Sequence, residues 1–222
     1  MNRLERLAPL SGIVAVGLLV TEISITGHAP AIDTPTRTTV AYWVDNANVL
    51  EIASALYGLG AVAIVWFGAS LRAALREDAG GSERLGSIAH AGTMFIAAGL
   101  SLSACFGLAA VHSAEKSAGG DLATTVQTLN VLNGEDMFML IAVGSTLLLL
   151  STAVSMLRHG GFPRWVGWVS LVFGAIALVV LVVGVWVAGY GVVSFPLLGL
   201  WIPVVAMMIY MRQPTAARAP SR

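Results

Sequence analysis

The chain has 222 residues, of which 57% are hydrophobic and only 11% are charged, and its formal net charge is zero. A soluble globular protein carries charge on roughly a quarter of its residues, so this composition excludes an ordinary soluble domain. We expect this chain to lie in the lipid bilayer and not to bind nucleic acid.

Six apolar stretches are long enough to cross a bilayer, whose hydrocarbon core of about 30 Å needs roughly 20 residues per helix. The predicted spans are 10–27, 49–71, 85–111, 137–157, 165–188 and 192–211. The sequence therefore predicts an all-α, polytopic bundle of six transmembrane helices forming one domain, residues 1–211. Residues 212–222 are rich in Pro, Ala and Arg, which is typical of a disordered cytoplasmic tail.

The arginines predict the orientation, because cationic residues in short loops are retained on the cytoplasmic side. With the N-terminus inside, the following residues are cytoplasmic: Arg3, Arg6, Arg72, Arg76, Arg84, Arg158, Arg164, Arg212, Arg218 and Arg222. Only Arg37 and Lys116 then lie outside. We predict that both termini are cytoplasmic. The predominance of arginine over lysine, with abundant Ala, Gly and Val, indicates a bacterial protein of the inner membrane.

Acidic residues gather on the opposite side and predict an outer vestibule that would attract cations. Its candidate residues are Asp45, Glu51, His112, Glu135 and Asp136. Three of the four acidic groups have a structural alternative. Glu51 follows Asn48 at the spacing of a capping box, and Glu135 with Asp136 would complement the positive end of the fourth helix.

The two long outer segments contain further elements. Tyr42 and Trp43 fit an aromatic belt at the membrane interface. In the second segment, apolar residues recur at helical spacing from Leu122 to Leu132, which predicts a short amphipathic helix on the membrane surface or over the bundle. Asn133 and Gly134 should end that helix.

Two ionisable residues lie within the predicted spans, where a charge is costly unless it faces a partner or water. Glu22 lies near the outer end of the first helix and could be a proton or cation site. The alternative is a hydrogen bond or ion pair that fixes helix packing. His90 lies near the inner end of the third helix. It could be a proton relay or a ligand. Alternatively, it could bond a neighbouring carbonyl group or extend toward the inner surface.

The four histidines divide between the two sides, with His28 and His112 outside and His90 and His159 inside. This pattern permits a protein with two haems, and His112 with Glu115 and His28 permits an outer metal site. Most of these histidines lie at or beyond helix ends, where a haem would have no apolar slot. We therefore predict no cofactor, no metal and no catalytic residues.

Small residues at Gly99, Ser103 and Gly107 recur every fourth position and predict close helix packing. The third helix should therefore be central in the bundle. Pro203 should kink the sixth helix.

The layout resembles a broad group of bacterial six-helix membrane proteins that are described only as domains of unknown function. The resemblance is carried by the basic start at Arg3 and Arg6 before a Gly-rich helix, by the long first outer loop, and by the turn from Gly161 to Trp168. It implies six helices. Because no activity is assigned to that group, the resemblance supplies no activity and no site residues.

Three hypotheses for function follow. The first is a small transporter or channel-like protein with the acidic outer vestibule near Glu22. The second is a non-catalytic sensor or accessory subunit, forming a homo-oligomer or binding a membrane protein partner. An intramembrane enzyme is the least favoured.

Overall fold

The computed structural model describes residues 3–27, 29–31, 33–78, 83–116, 122–133, 137–187 and 190–212. The described chain is all-α. Its helices are α1 (Arg3–Leu7), a 3₁₀ turn (Ala8–Leu10), α2 (Ser11–Thr26), α3 (Thr36–Asp45), α4 (Ala47–Asp78), α5 (Glu83–Lys116), α6 (Ala123–Val131), α7 (Met137–His159), α8 (Arg164–Val187) and α9 (Tyr190–Arg212).

Six helical segments are long and apolar enough to cross a membrane, as the sequence predicts. They are α2 with the turn before it, α4, α5, α7, α8 and α9. The helices extend beyond the apolar stretches because helical hydrogen bonding continues where the side chains become polar. The third, predicted over 85–111, runs from Glu83 to Lys116.

α5 occupies the centre of the bundle, as its small residues predict, and packs against α3, α4, α6 and α7. α2 packs against α4 and α9, and α8 covers α7. Small residues allow these contacts. A Cβ atom added at Gly68 of α4 would lie 2.0 Å from the Thr93 hydroxyl oxygen of α5.

Several polar side chains inside the bundle bond to other groups of the protein, as an apolar solvent favours. Thr152 donates from its hydroxyl to the Leu148 carbonyl one turn earlier, at 2.6 Å. The Trp201 indole N–H of α9 donates to the Ser170 hydroxyl of α8, at 2.7 Å. This bond links the last two spanning helices in the core.

One end of the bundle is basic, and we call it the basic end. The Arg6 guanidinium lies 5.7 Å from the centre of the Tyr210 ring, so the start of the first spanning segment lies beside the end of α9. Arg212 lies over Phe162, at 3.8 Å, and donates to the Gly161 carbonyl. Gly161 has a φ of 81°, which favours glycine in this turn.

The other end is covered by α3 and α6, which pack against each other and together form a cap. The predicted helix at 122–132 is confirmed as Ala123–Val131. Val126 is fully buried, which shows that this helix lies over the bundle. α3 was not expected. Trp43 of α3 is 1% exposed, so its assignment to an aromatic belt is wrong.

The predicted capping box is also wrong, because α4 begins before Asn48, at Ala47. The chain bends at Asn46, whose side-chain amide donates to the Tyr42 carbonyl at 2.8 Å. Asn46 therefore closes α3, and its own carbonyl accepts from the Leu50 N–H at 3.0 Å in the first turn of α4.

Candidate functional site

A cavity of about 220 Å³ lies beneath the cap, and we call it the capped cavity. Its wall is formed by α2, α4 and α5, and its cover by α3 and the segments beside α2 and α6. Polar side chains from five separate parts of the chain converge on it: Glu22, Thr26, Tyr42, Ser54, Tyr57, Ser103 and Asn133.

Among the described residues, Glu22 is the one carboxyl group in the lining of this cavity, and it is only 5% exposed. It lies one turn before the end of α2. The Thr26 hydroxyl lies 3.2 Å from Glu22 Oε1, and the Tyr57 hydroxyl of α4 is also a hydrogen-bond partner of this carboxyl group. Glu22 therefore has neutral partners and no ion pair among the described residues.

The wall opposite Glu22 depends on a glycine of α5. A Cβ atom at Gly107 would lie 2.9 Å from Ser54 Oγ and 3.6 Å from Asn133 Oδ1. Gly107 thus allows α4 and the end of α6 to approach α5. Ser103, one turn earlier on α5, is 2% exposed and lines the same cavity.

The cap is held closed by buried hydrogen bonds. The Trp43 indole N–H donates to Asn130 Oδ1 of α6, at 3.0 Å. The Asn130 amide donates in turn to the Pro30 carbonyl, at 3.1 Å. One asparagine therefore ties α6 to α3 and to the segment that follows α2.

Tyr42 joins the cap to α2, because its hydroxyl donates to the Thr26 carbonyl at 3.4 Å. Burial, and then the negative charge of Glu22, raise the pKa of Tyr42 above its ordinary value of 10.0. The phenol group is thus a protonated hydrogen-bond donor throughout the physiological pH range.

Three aromatic residues line the same cavity as the carboxyl group. Tyr42 and Trp43 meet edge to face with ring centres 5.9 Å apart, and Tyr57 approaches from α4. Aromatic faces together with a negative charge are the groups that bind ammonium ions, since ring quadrupoles attract a diffuse positive charge.

Most of the other residues singled out from the sequence lie elsewhere. Glu51 Oε1 is 4.0 Å from His112 Nε2 on the exposed surfaces of α4 and α5. Asp45 is exposed at the end of α3. None of the three lines the capped cavity. Glu135 and Asp136, together with His28, lie outside the described residues.

His90 lies on α5, distant in sequence from the cavity-lining residues Ser103 and Gly107, and is partly buried. Its Nδ1 lies 3.5 Å from the hydroxyl oxygen of Thr93, and that hydroxyl donates to the His90 carbonyl at 2.7 Å. Gly99 is buried in the same helix. Of the predicted packing residues, Ser103 and Gly107 also line the cavity.

Sequence reasoning missed several lining residues, above all Tyr57, Ser54 and Asn133. Ser54 and Tyr57 are three positions apart on one helical face, which was the available signal. Their convergence with Glu22 depends on how α2 and α4 are rotated against each other.

Within the described part of the chain, no group of three or more His, Cys, Asp or Glu residues could hold a metal ion. Comparison with models of known protein families, with characterised proteins and with solved structures yields no match to this chain. The resemblance to six-helix proteins of unknown function stays a prediction.

Proposed function

We propose that the protein is a small membrane transporter that binds a small organic ammonium ion in the capped cavity. The observation that carries this proposal is that the buried Glu22 carboxyl group lines one small cavity together with Tyr42, Trp43 and Tyr57. The carboxylate supplies the opposite charge, and the rings favour an organic cation over a strongly hydrated metal ion.

The size of the cavity limits the cationic group that it can hold. At about 220 Å³ it lies below the ~300 Å³ at which pockets for drug-sized ligands begin. A small methylated ammonium head fits that limit. The hydroxyl groups of Thr26 and Ser54 can accept hydrogen bonds from an ammonium N–H, which extends the substrate class to primary amines.

Transport requires that the cation reach the cavity from one side and leave on another. The cap supplies one barrier, since α3 and α6 cover the end of the cavity and Asn130 holds them together. Glu22 can exchange the cation for a proton, because a carboxyl group binds either one. An exchange of this kind would couple transport to the proton gradient.

We place the cap on the outer face of a bacterial inner membrane, with both termini in the cytoplasm. The basic end supports this orientation, because Arg6, Arg72 and Arg212 lie at the end away from the cap. A reporter enzyme that works only in the cytoplasm should be active when it is fused after residue 222. Activity of a periplasmic reporter at that position would reverse the orientation.

Flux into proteoliposomes tests the proposed transport. Wild type should accumulate labelled tetramethylammonium, which has no membrane-permeant free base, when an outward proton gradient is imposed, and Glu22→Gln should lose this accumulation. Glu51→Gln is the matched control, because it removes an exposed carboxyl group outside the cavity. Equal flux in wild type and Glu22→Gln, with both proteins folded, would overturn the proposal.

A sensor or accessory subunit is the second candidate, and the cap over the cavity favours it, since a covered site suits binding without passage. The two functions separate cleanly. A sensor would bind the ammonium ion through Glu22 and show no flux above that of empty liposomes.

A further inference from the structure

A second space lies beside the capped cavity, between α2 and α9. It has a volume of about 620 Å³, and we call it the lipid-facing groove. Its walls include Val16, Val20 and Ile23 of α2 and Gly199 and Ile202 of α9, and its floor has an isoleucine from each of α4, α5 and α7. Every described residue in its lining is apolar or glycine.

The groove opens sideways toward the lipid. Val20 and Ile23 on one rim are 58% and 51% exposed, and Leu200 on the other is 67% exposed. These residues lie in spanning helices, so the groove is at the depth of the hydrocarbon core. A hydrocarbon chain therefore suits this groove better than water.

The groove and the capped cavity share one lining residue. Ile23 lines both spaces, and Glu22 precedes it in the same turn of α2. A ligand with a charged head and an apolar chain could therefore place the head against Glu22 while the chain passes Ile23 into the groove.

An apolar groove alone would not select a ligand, because lipid tails are as apolar as its lining and gain little by entering it. The charge beside it supplies the selection. A carboxylate in a site of low dielectric attracts a cationic head and repels the phosphate of an anionic lipid.

From this arrangement we propose that the substrate is a cationic amphiphile, an ammonium ion with a long alkyl chain, whose chain lies in the lipid-facing groove. The inference rests on the proposed function, because it assumes that Glu22 binds the head. It adds that access is lateral, from the lipid, past Ile23.

Two glycines give a matched pair of variants. An added Cβ atom meets nothing within 4 Å at either Gly199, in the groove, or Gly17, on the exposed face of α2 outside it. Phenylalanine at Gly199 therefore fills the groove without a clash at Cβ, and phenylalanine at Gly17 makes the same chemical change elsewhere. Val20→Phe fills the groove from the opposite wall and serves if Gly199→Phe does not fold.

The experiment measures binding of tetramethylammonium and of dodecyltrimethylammonium to the protein in nanodiscs of one lipid composition. Filling the groove by Gly199→Phe or Val20→Phe should weaken dodecyltrimethylammonium binding by about tenfold, the scale expected of overpacking, and leave tetramethylammonium binding unchanged. Gly17→Phe should change neither affinity. Glu22→Gln should weaken both.

The other outcomes separate the two proposals. If tetramethylammonium binding depends on Glu22 but groove filling does not affect the long-chain ion, the groove inference is wrong and the proposed function stands. A second outcome is that groove filling weakens binding of the long-chain ion but Glu22→Gln does not change it. The groove would then bind apolar chains without recognising a cationic head, and the inference would also be wrong. If neither ion responds to Glu22→Gln, both proposals fail.

Discussion

Gly92 of α5 and Gly144 of α7 face each other so closely that a Cβ atom added to either would lie 2.6 Å from the carbonyl oxygen of the other. The contact is reciprocal and involves backbone on both sides, so no side chain can rotate away to relieve it. This crossing sets the distance between α5 and α7 and thereby the position of the wall that α5 gives to the capped cavity.

Alanine at either position should force the two helices apart. We expect Gly92→Ala and Gly144→Ala each to lower the free energy of unfolding by about 1–3 kcal/mol, the usual cost of overpacking. Thermal unfolding in detergent measures this. Gly58→Ala is the control, because a Cβ atom there meets nothing within 4 Å. A melting temperature for Gly92→Ala equal to that of Gly58→Ala would show that the helices are not held at this distance.

The cap should loosen when Asn130 is replaced. Asn130→Leu leaves the Trp43 indole N–H and the Pro30 carbonyl without their partners, and each unpaired buried group costs about 1–3 kcal/mol. Amide hydrogen exchange should therefore become faster in α3 and α6 while α7 keeps its protection. The control is Thr128→Ala, which removes only an exposed bond within α6. Unchanged exchange in α3 would mean that Asn130 does not hold the cap.

Tyr42 should titrate above pH 10. Because the pKa of Tyr42 is raised in the folded protein, the protonated phenol stabilises the fold fully below pH 10, and this contribution is lost as the pH rises through the folded-state pKa. Wild type should lose more stability than Tyr42→Phe when the pH is raised above 10. Ultraviolet titration gives a second measurement. Glu22→Gln should lower the pKa of Tyr42 only in part, because burial is the larger cause.

A pKa of Tyr42 at its ordinary value in wild type would contradict this account. It would mean that the phenol group is open to water and that the cap does not close over Glu22.

The sequence is sufficient for the spanning helices because each depends on the length of one apolar stretch. It is also sufficient for α6, whose apolar residues from Leu122 to Leu129 repeat at helical spacing. It was insufficient for the cap. The sequence suggested that Trp43 is an interfacial residue, because it does not reveal the hydrogen-bond partner of the indole. That partner, Asn130, lies 87 positions away, and only the tertiary fold brings the two together.

The candidate site follows the same division. Glu22 is conspicuous in the sequence because a carboxyl group is rare in an apolar stretch. Tyr57 is not, because a tyrosine is an ordinary residue of a spanning helix. The predicted vestibule included Glu51, which lies near in sequence to the cavity-lining Ser54 yet points to the surface beside His112. The rotation of α4 about its axis decides which of its residues face the cavity, and composition does not reveal that rotation.

Binding of tetramethylammonium to the purified protein, measured by titration calorimetry, tests the central claim most directly. The account predicts saturable binding to wild type and to Glu51→Gln with similar affinity. Glu22→Gln should bind about a hundredfold more weakly, because loss of one partner of a buried charge pair costs about 3 kcal/mol or more. Equal affinity of wild type and Glu22→Gln would contradict the account.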